Sequence, residues 1–265
     1  MADSATIGKT AATLLFAGSA GVWGFILWRL WRGRPVLEPT PQEPVAWPPV
    51  PVFATFVVAM VLPQMIVGVA ATPDSLSLPA VQWRALAMAA QGIAVFGLLA
   101  LSAPVRRQDF GWQPANWRRD LRVGFFAFLA SWIPVFLVNY QVEQAGLRAE
   151  GEKHLFFQVL EADSAWVVLA WIALSVVVLA PLAEELTYRV LLQGWCQSQI
   201  SPWTAIFFSS VIFAVIHRAP DCFPLFPLAL ILGFVYQRTR SYLAPVVVHA
   251  LFNATTLTLA VLRNS

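Results

Sequence analysis

The sequence predicts an all-α protein, a polytopic transmembrane helical bundle of about eight spans. Three observations carry this expectation. Of 265 residues, 58% are hydrophobic and 12% charged, about half the charged fraction of a soluble domain. Apolar runs close to the ~20 residues that a helix needs to cross a bilayer recur along the chain. Between them, the Lys and Arg residues gather in alternate loops.

The first run, at 11–30, is long and ends in Arg29, Arg32 and Arg34 without a small-residue cleavage site. It is therefore expected to be a retained anchor (1–34) and not a signal peptide. The following "PVLEPTPQEPVAWPPVPV" holds prolines that cannot continue a helix, so 35–51 is expected to be an extended, polyproline-like linker. Residues 52–121 hold spans at 52–71 and 85–104 and a basic loop with Arg106, Arg107, Arg118 and Arg119. Residues 122–265 are expected to form the catalytic core unit, with spans at 122–141, 165–193, 203–218, 224–239 and 243–262. The fifth is overlong and the sixth short. In the acid-rich 142–164 loop, "EKHLFFQVL" reads as an interfacial helix on the outer face, with His154 beside its phenylalanines. No internal repeat stands out.

Loops after spans one, three and seven hold Arg29, Arg32, Arg34, Arg106, Arg107, Arg118, Arg119, Arg122, Arg238 and Arg240. The other side holds only Lys9, Arg84, Arg148, Lys153, Arg218 and Arg263. The positive-inside rule then places both termini outside and the arginine-rich loops in the cytoplasm. Topology thus accounts for the net charge of +3, and no nucleic-acid partner is expected. Cys196 and Cys222 fall on opposite faces of the membrane, which argues against a disulfide.

Of fourteen Asp and Glu residues, Glu184 and Glu185 are the two inside a long apolar segment, in "LAEELTYR" after "AWVVLAWIALSVVVLAP". A charge there costs at least ~2.5–3.5 kcal/mol on insertion scales and needs a partner or a wet cavity. Glu185 and Arg189 are one turn apart on one face and can pair. Glu184 is rotated by about 100° and faces elsewhere. Pro181, just upstream, lacks an N–H and should kink the helix near the carboxylates. Two later spans carry His217 (in "FAVIH") and His249 with Asn253 (in "HALFN"). At 1.5 Å per residue, Glu184, His217, His249 and Asn253 reach overlapping depths, ~9–20 Å from the cytoplasmic ends of their helices.

This inventory suits amide hydrolysis. Glu184 would take a proton from water and return it to the leaving group, and His217 would orient that water. His249 and the Asn253 amide would donate hydrogen bonds to the developing oxyanion. No Ser-His-Asp set, cysteine nucleophile or HExxH motif competes. Glu184, His217 and His249 would equally make a His2Glu zinc site with one open position. Both schemes stand on the sequence, the metal-free one being preferred, and Asn253 keeps its donor role in either.

"EELTYR", "FAVIH" and "HALFN" resemble the EExxxR, FxxxH and HxxxN motifs of the CAAX-prenyl-endopeptidase-like intramembrane proteases, the CPBP or ABI family. Ser209, Ser210, Gly233, Tyr236, Thr239, Ser241 and Pro245 agree with it, over about 120–262. The departures are Tyr188 and Val190 where Phe and Gly are frequent, and Arg240 where Gly is common. The resemblance implies an eight-helix endopeptidase of a bacterial cytoplasmic membrane, its site opening toward the cytoplasm. It implies Glu184 as general base and Glu185 with Arg189 as the supporting pair. His217 would be the water-orienting group, and His249 with Asn253 the oxyanion or ligand pair. The expected partners are the lipid bilayer and a membrane-associated protein or peptide substrate. A non-enzymatic scaffold or bacteriocin-immunity-type protein that keeps the fold is the alternative, and a proton-relay transporter a third reading.

Overall fold

A computed structural model describes residues 4–41, 43–70, 77–102, 106–147, 158, 165–217 and 219–264. Eight long helices run through them: α1 (Ser4–Trp31), α2 (Pro49–Ala70), α3 (Leu78–Ser102), α4 (Trp117–Gln144), α5 (Trp166–Gln199), α6 (Pro202–Ile216), α7 (Cys222–Thr239) and α8 (Leu243–Asn264). No strand occurs among the described residues. Seven of the helices are long and apolar enough to cross a membrane, and the fifteen-residue α6 is a shorter apolar helix. The chain is an integral membrane protein built as a polytopic helical bundle. His154 and most of the expected interfacial helix lie outside the described residues.

Helix starts follow local chemistry. α2 begins at Pro49, inside the stretch read as linker, because proline at a first helical turn lacks an N–H that would be unpaired anyway. α6 has Ser201 as its N-cap, whose hydroxyl accepts from the Thr204 N–H, and Pro202 in its first turn. Small residues allow close helix crossings. A Cβ at Gly124 of α4 would stand 2.7 Å from Val247 Cγ1 and 3.0 Å from the Ala244 carbonyl of α8. α1 joins α4 through Trp23 Nε1, which donates to the Ala130 carbonyl at 2.9 Å.

The proline-rich segment is extended but does not float free. It lies across one end of the bundle, where the Thr40 N–H donates to the Arg238 carbonyl at 2.9 Å and Arg119 Nη2 donates to Thr40 Oγ1 at 2.8 Å. Arg106 bridges Glu43 and Asp109, at 2.8 and 3.2 Å. Val45 and Trp47 are buried in a cluster with Leu186, Val190, Leu191 and Tyr236. Trp47 thus anchors the strap over the end that carries the α7–α8 turn. In that turn Arg240 takes φ 51°, the left-handed region in which glycine is unstrained.

α5 holds the main irregularity. Instead of a simple kink at Pro181, it widens into π-helical turns at Leu174–Leu179 and again at Leu186–Gln193, on either side of Ala180–Glu185. Wide turns of this kind concentrate at functional sites.

Candidate active site

Glu184 and Glu185 lie between the two wide stretches, and their 100° separation sends them to different partners. Glu185 is wholly buried. Its Oε2 accepts from Arg189 Nε at 3.0 Å, and its Oε1 stands 2.8 Å from His249 Nδ1 on α8. The Arg189 guanidinium is also fully buried, and its carbon lies 5.2 Å from the centre of the Phe213 ring. A desolvated cation over an aromatic face gains up to about 2 kcal/mol. This partly offsets two terminal nitrogens that make no hydrogen bond among the described residues.

Glu184 is less enclosed, with 20% of its side chain accessible, and His217 is 28% accessible. Glu184 Oε2 lies 3.9 Å from His217 Nε2 and 3.9 Å from His249 Nε2. No direct hydrogen bond joins them, and Oε2 has no partner among the described residues. A spacing of 3.9 Å suits three groups surrounding one small hydrogen-bonded atom, since each would reach it at about 2.8 Å.

The far side of each imidazole is fixed. His217 Nδ1 lies 2.7 Å from the Phe213 carbonyl. A carbonyl only accepts, so that nitrogen carries the hydrogen and a neutral ring turns its Nε2 lone pair toward Glu184. His249 Nδ1 holds its hydrogen against the Glu185 carboxylate, which supports a second hydrogen, and positive charge, on that ring.

Asn253 points to backbone. Its Nδ2 donates to the Val176 carbonyl at 2.7 Å. In the wide ladder of this stretch the Ala180 N–H bonds to Ser175 O, five residues back. The next bond in the series would run from residue 181 to Val176, but Pro181 has no N–H. Asn253 supplies the missing donor, and its amide keeps a second N–H.

The structure therefore brings Glu184, His217 and His249 around one point, sets Glu185 and Arg189 behind His249, and ties Asn253 to the broken ladder of α5. Sequence reading missed the Glu185–His249 contact, since nothing local links residues sixty-four positions apart. It also missed a polar knot at the base of the site. Gln193 Nε2 donates to the Gly233 carbonyl at 2.9 Å, and Ser209 Oγ donates to Gln193 Oε1 at 3.3 Å. Asp120, in the first turn of α4, is buried too. Tyr242 donates its hydroxyl to the Leu182 carbonyl at 2.6 Å. Burial first, and the Glu185 charge second, push its pKa up, so the phenol stays a donor.

A tetrahedral zinc with bonds of about 2.0–2.2 Å sets its ligand atoms roughly 3.3–3.6 Å apart, closer than the spacing seen here. No group of three or more His, Cys, Asp or Glu among the described residues is close enough to hold a metal ion. An apolar cavity of about 360 Å³ borders Gly92, Leu182, Ala183, Leu186 and Tyr242. It lies between α3 and the face of α5 turned away from Glu184, so it is not part of this site.

Residues 166–255, about a third of the chain, match the family model described as type II CAAX prenyl endopeptidase Rce1-like. The matched segment runs from α5 into α8 and includes Glu184, Glu185, Arg189, His217, His249 and Asn253. No curated protein and no solved structure matches the chain. Over residues 166–255 the chain is thus similar to the CAAX-protease-like family, and the match supports a place among them.

Proposed function

We propose that this protein is an intramembrane endopeptidase that hydrolyses a peptide bond of a membrane-associated protein or lipopeptide with a glutamate-activated water. The observation that carries the reading is the pair of 3.9 Å separations from Glu184 Oε2 to His217 Nε2 and His249 Nε2. A water between them gives one hydrogen to Glu184 and the other to the His217 lone pair, which aims its oxygen at the scissile carbonyl. As the C–O bond forms, the proton passes to Glu184, and the carbonyl oxygen becomes an oxyanion.

His249, protonated on both nitrogens and backed by Glu185, donates its Nε2–H to that oxyanion. The remaining Asn253 N–H is a second donor. Glu184 then returns the proton to the leaving nitrogen as the C–N bond breaks. Charges balance: two carboxylates face one guanidinium and one imidazolium, the condition for holding four ionic groups at membrane depth. The wide geometry favours this metal-free scheme over a zinc-bound water.

The test is cleavage of quenched-fluorescent peptides, prenylated and plain, by the purified protein in proteoliposomes. The reading requires that Glu184→Gln, His217→Ala and His249→Ala each abolish cleavage while the protein still inserts and folds. Full activity in all three variants would end it.

A further inference from the structure

α2 lies outside residues 166–255, yet it packs along α5 in a definite register. Phe53 meets Trp195 with ring centres 5.8 Å apart, and Phe56 meets Tyr188 at 6.3 Å. One turn after Phe56, Met60 Sδ accepts from the Tyr188 hydroxyl at 3.6 Å. Seven residues forward on α2 thus match seven residues back on α5, so the two helices run antiparallel. α6 joins the same level, because the Phe213 ring lies 5.1 Å from that of Tyr188. Met60, Tyr188 and Phe213 form one layer of a three-helix contact.

A step of four residues along each helix, about one turn, leads to the next layer. From Tyr188 it leads to Glu184 and from Phe213 to His217, and these two do come together, 3.9 Å apart. From Met60 it leads to Gln64. Phe53, Met60 and Gln64 fall within about 40° around α2, so Gln64 keeps to the edge that packs on α5.

The two layers differ in packing. In the first, Tyr188 and Phe213 are buried, at 3% and 1% exposure. In the second, Gln64 is exposed, and the Glu184 and His217 side chains are 20% and 28% accessible. Packing is thus looser at the level of the reacting groups. Thr55 and Gln64 are the two polar side chains of α2, and Thr55 is buried. Gln64 stands among Val61, Leu62, Met65 and Ile66, about 15 residues or ~22 Å along the helix from Pro49. An amide bared at such depth without a partner is costly, so its place calls for one.

We propose that Gln64 binds a main-chain peptide group of the substrate, next to the scissile bond. This rests on the hydrolase reading. A peptide bond open to attack is not locked in a helix, so the substrate passes the site extended. At membrane depth each flanking N–H and C=O that leaves its helix needs a new partner. In the hydrolase reading Glu184, His217, His249 and Asn253 act on the reacting bond, and Glu185 and Arg189 hold each other. Gln64 is uncommitted in that scheme, and a primary amide offers both a donor and an acceptor, the complement of a peptide group. It selects extended backbone and no particular side chain.

The experiment uses the quenched-fluorescent peptides, prenylated and plain, each also made with an ester in place of one amide flanking the scissile bond. An ester has no N–H and is a weaker acceptor. Wild type, Gln64→Leu and Gln64→Met, in proteoliposomes, are compared in kcat/KM and in melting temperature. The expected result is a ~3–10-fold fall in kcat/KM for both variants on all-amide peptides, the size of one lost hydrogen bond, at unchanged melting temperature. With the ester at the contacted position wild type falls to the level of the variants, and the variants lose nothing further. Equal kcat/KM in all three proteins overturns the inference, as does a loss that follows melting temperature or one that no ester position cancels. Peptide binding separates the inference from the hydrolase reading. It is measured by fluorescence anisotropy of unquenched forms of the same peptides, with Glu184→Gln and with Glu184→Gln/Gln64→Leu. Binding that depends on Gln64, in a protein whose wild type cleaves none of the peptides, supports the inference and counts against the hydrolase reading alone. Cleavage indifferent to Gln64 counts against the inference alone.

Discussion

Glu185 Oε1 lies 2.8 Å from His249 Nδ1 while its Oε2 holds Arg189, so one buried carboxylate is shared between an imidazole ring and a guanidinium. The Oε2 of the adjacent Glu184 is left without a hydrogen-bond partner among the described residues. Two neighbouring glutamates therefore have opposite situations, one committed and one open.

The two should respond differently to the same substitution. Glu184→Gln is expected to cut cleavage by at least ~10²–10⁴-fold with little change in thermal stability, because it removes a proton acceptor and no buried pair. Glu185→Gln leaves the Arg189 cation without its counter-charge, and breaking a buried pair costs about 3–5 kcal/mol. Thermal unfolding in detergent, run beside the cleavage assay, separates the two. Equal losses of stability would contradict the division.

Asn253 and Pro181 should be coupled. Asn253→Ala leaves the Val176 carbonyl unsatisfied, a loss of about 1–3 kcal/mol. Pro181→Ala restores an N–H to the α5 ladder, so the double variant should recover most of that stability. A double-mutant cycle in melting temperature tests this, and additive losses would remove Asn253 from its bridging role. Cleavage by the double variant then shows how much of the Asn253 contribution comes through its second N–H.

The close crossing of α4 and α8 makes Gly124 sensitive. Gly124→Ala should destabilise by about 1–3 kcal/mol, since its Cβ would meet Val247 and the Ala244 backbone. Val247→Ala should relieve part of this. No change in melting temperature for Gly124→Ala would mean the helices are further apart than described.

The strap should matter to stability. Trp47→Ala removes a buried indole from the cluster around Tyr236 and Leu186, and truncations of this kind cost about 3–5 kcal/mol. Protease sensitivity of the 35–48 segment, compared with wild type, reads the loss directly. An unchanged digestion pattern and melting temperature would show that the strap is not anchored there.

Much of the bundle was legible because bilayer thickness fixes helix length, so apolar runs marked α1 to α8, although α1 and α3 start seven residues earlier than the runs suggest. The Glu185–Arg189 pair was legible from a spacing of four on one helix. Three features were not. The burial of Val45 and Trp47 follows from tertiary docking of a segment with no periodic pattern. The wide turns of α5 depend on how Pro181 is accommodated, and the sequence marks only the proline. The Glu185–His249 contact depends on how α5 and α8 cross, which no local spacing encodes. Asn253 shows how one residue supports two readings. Its place four residues after His249 suits an oxyanion donor, and only the position of Val176 relative to Pro181 displays its second task.

The most direct test of water activation at Glu184 is isotopic. Wild type and Glu184→Gln, each reconstituted in proteoliposomes, are incubated with a membrane-peptide library in ¹⁸O-enriched water, and new peptide C-termini are analysed by mass spectrometry. The expected result is ¹⁸O in the new carboxylates formed by wild type and none above background with Glu184→Gln. Equal incorporation by both proteins, or none by wild type, would contradict it.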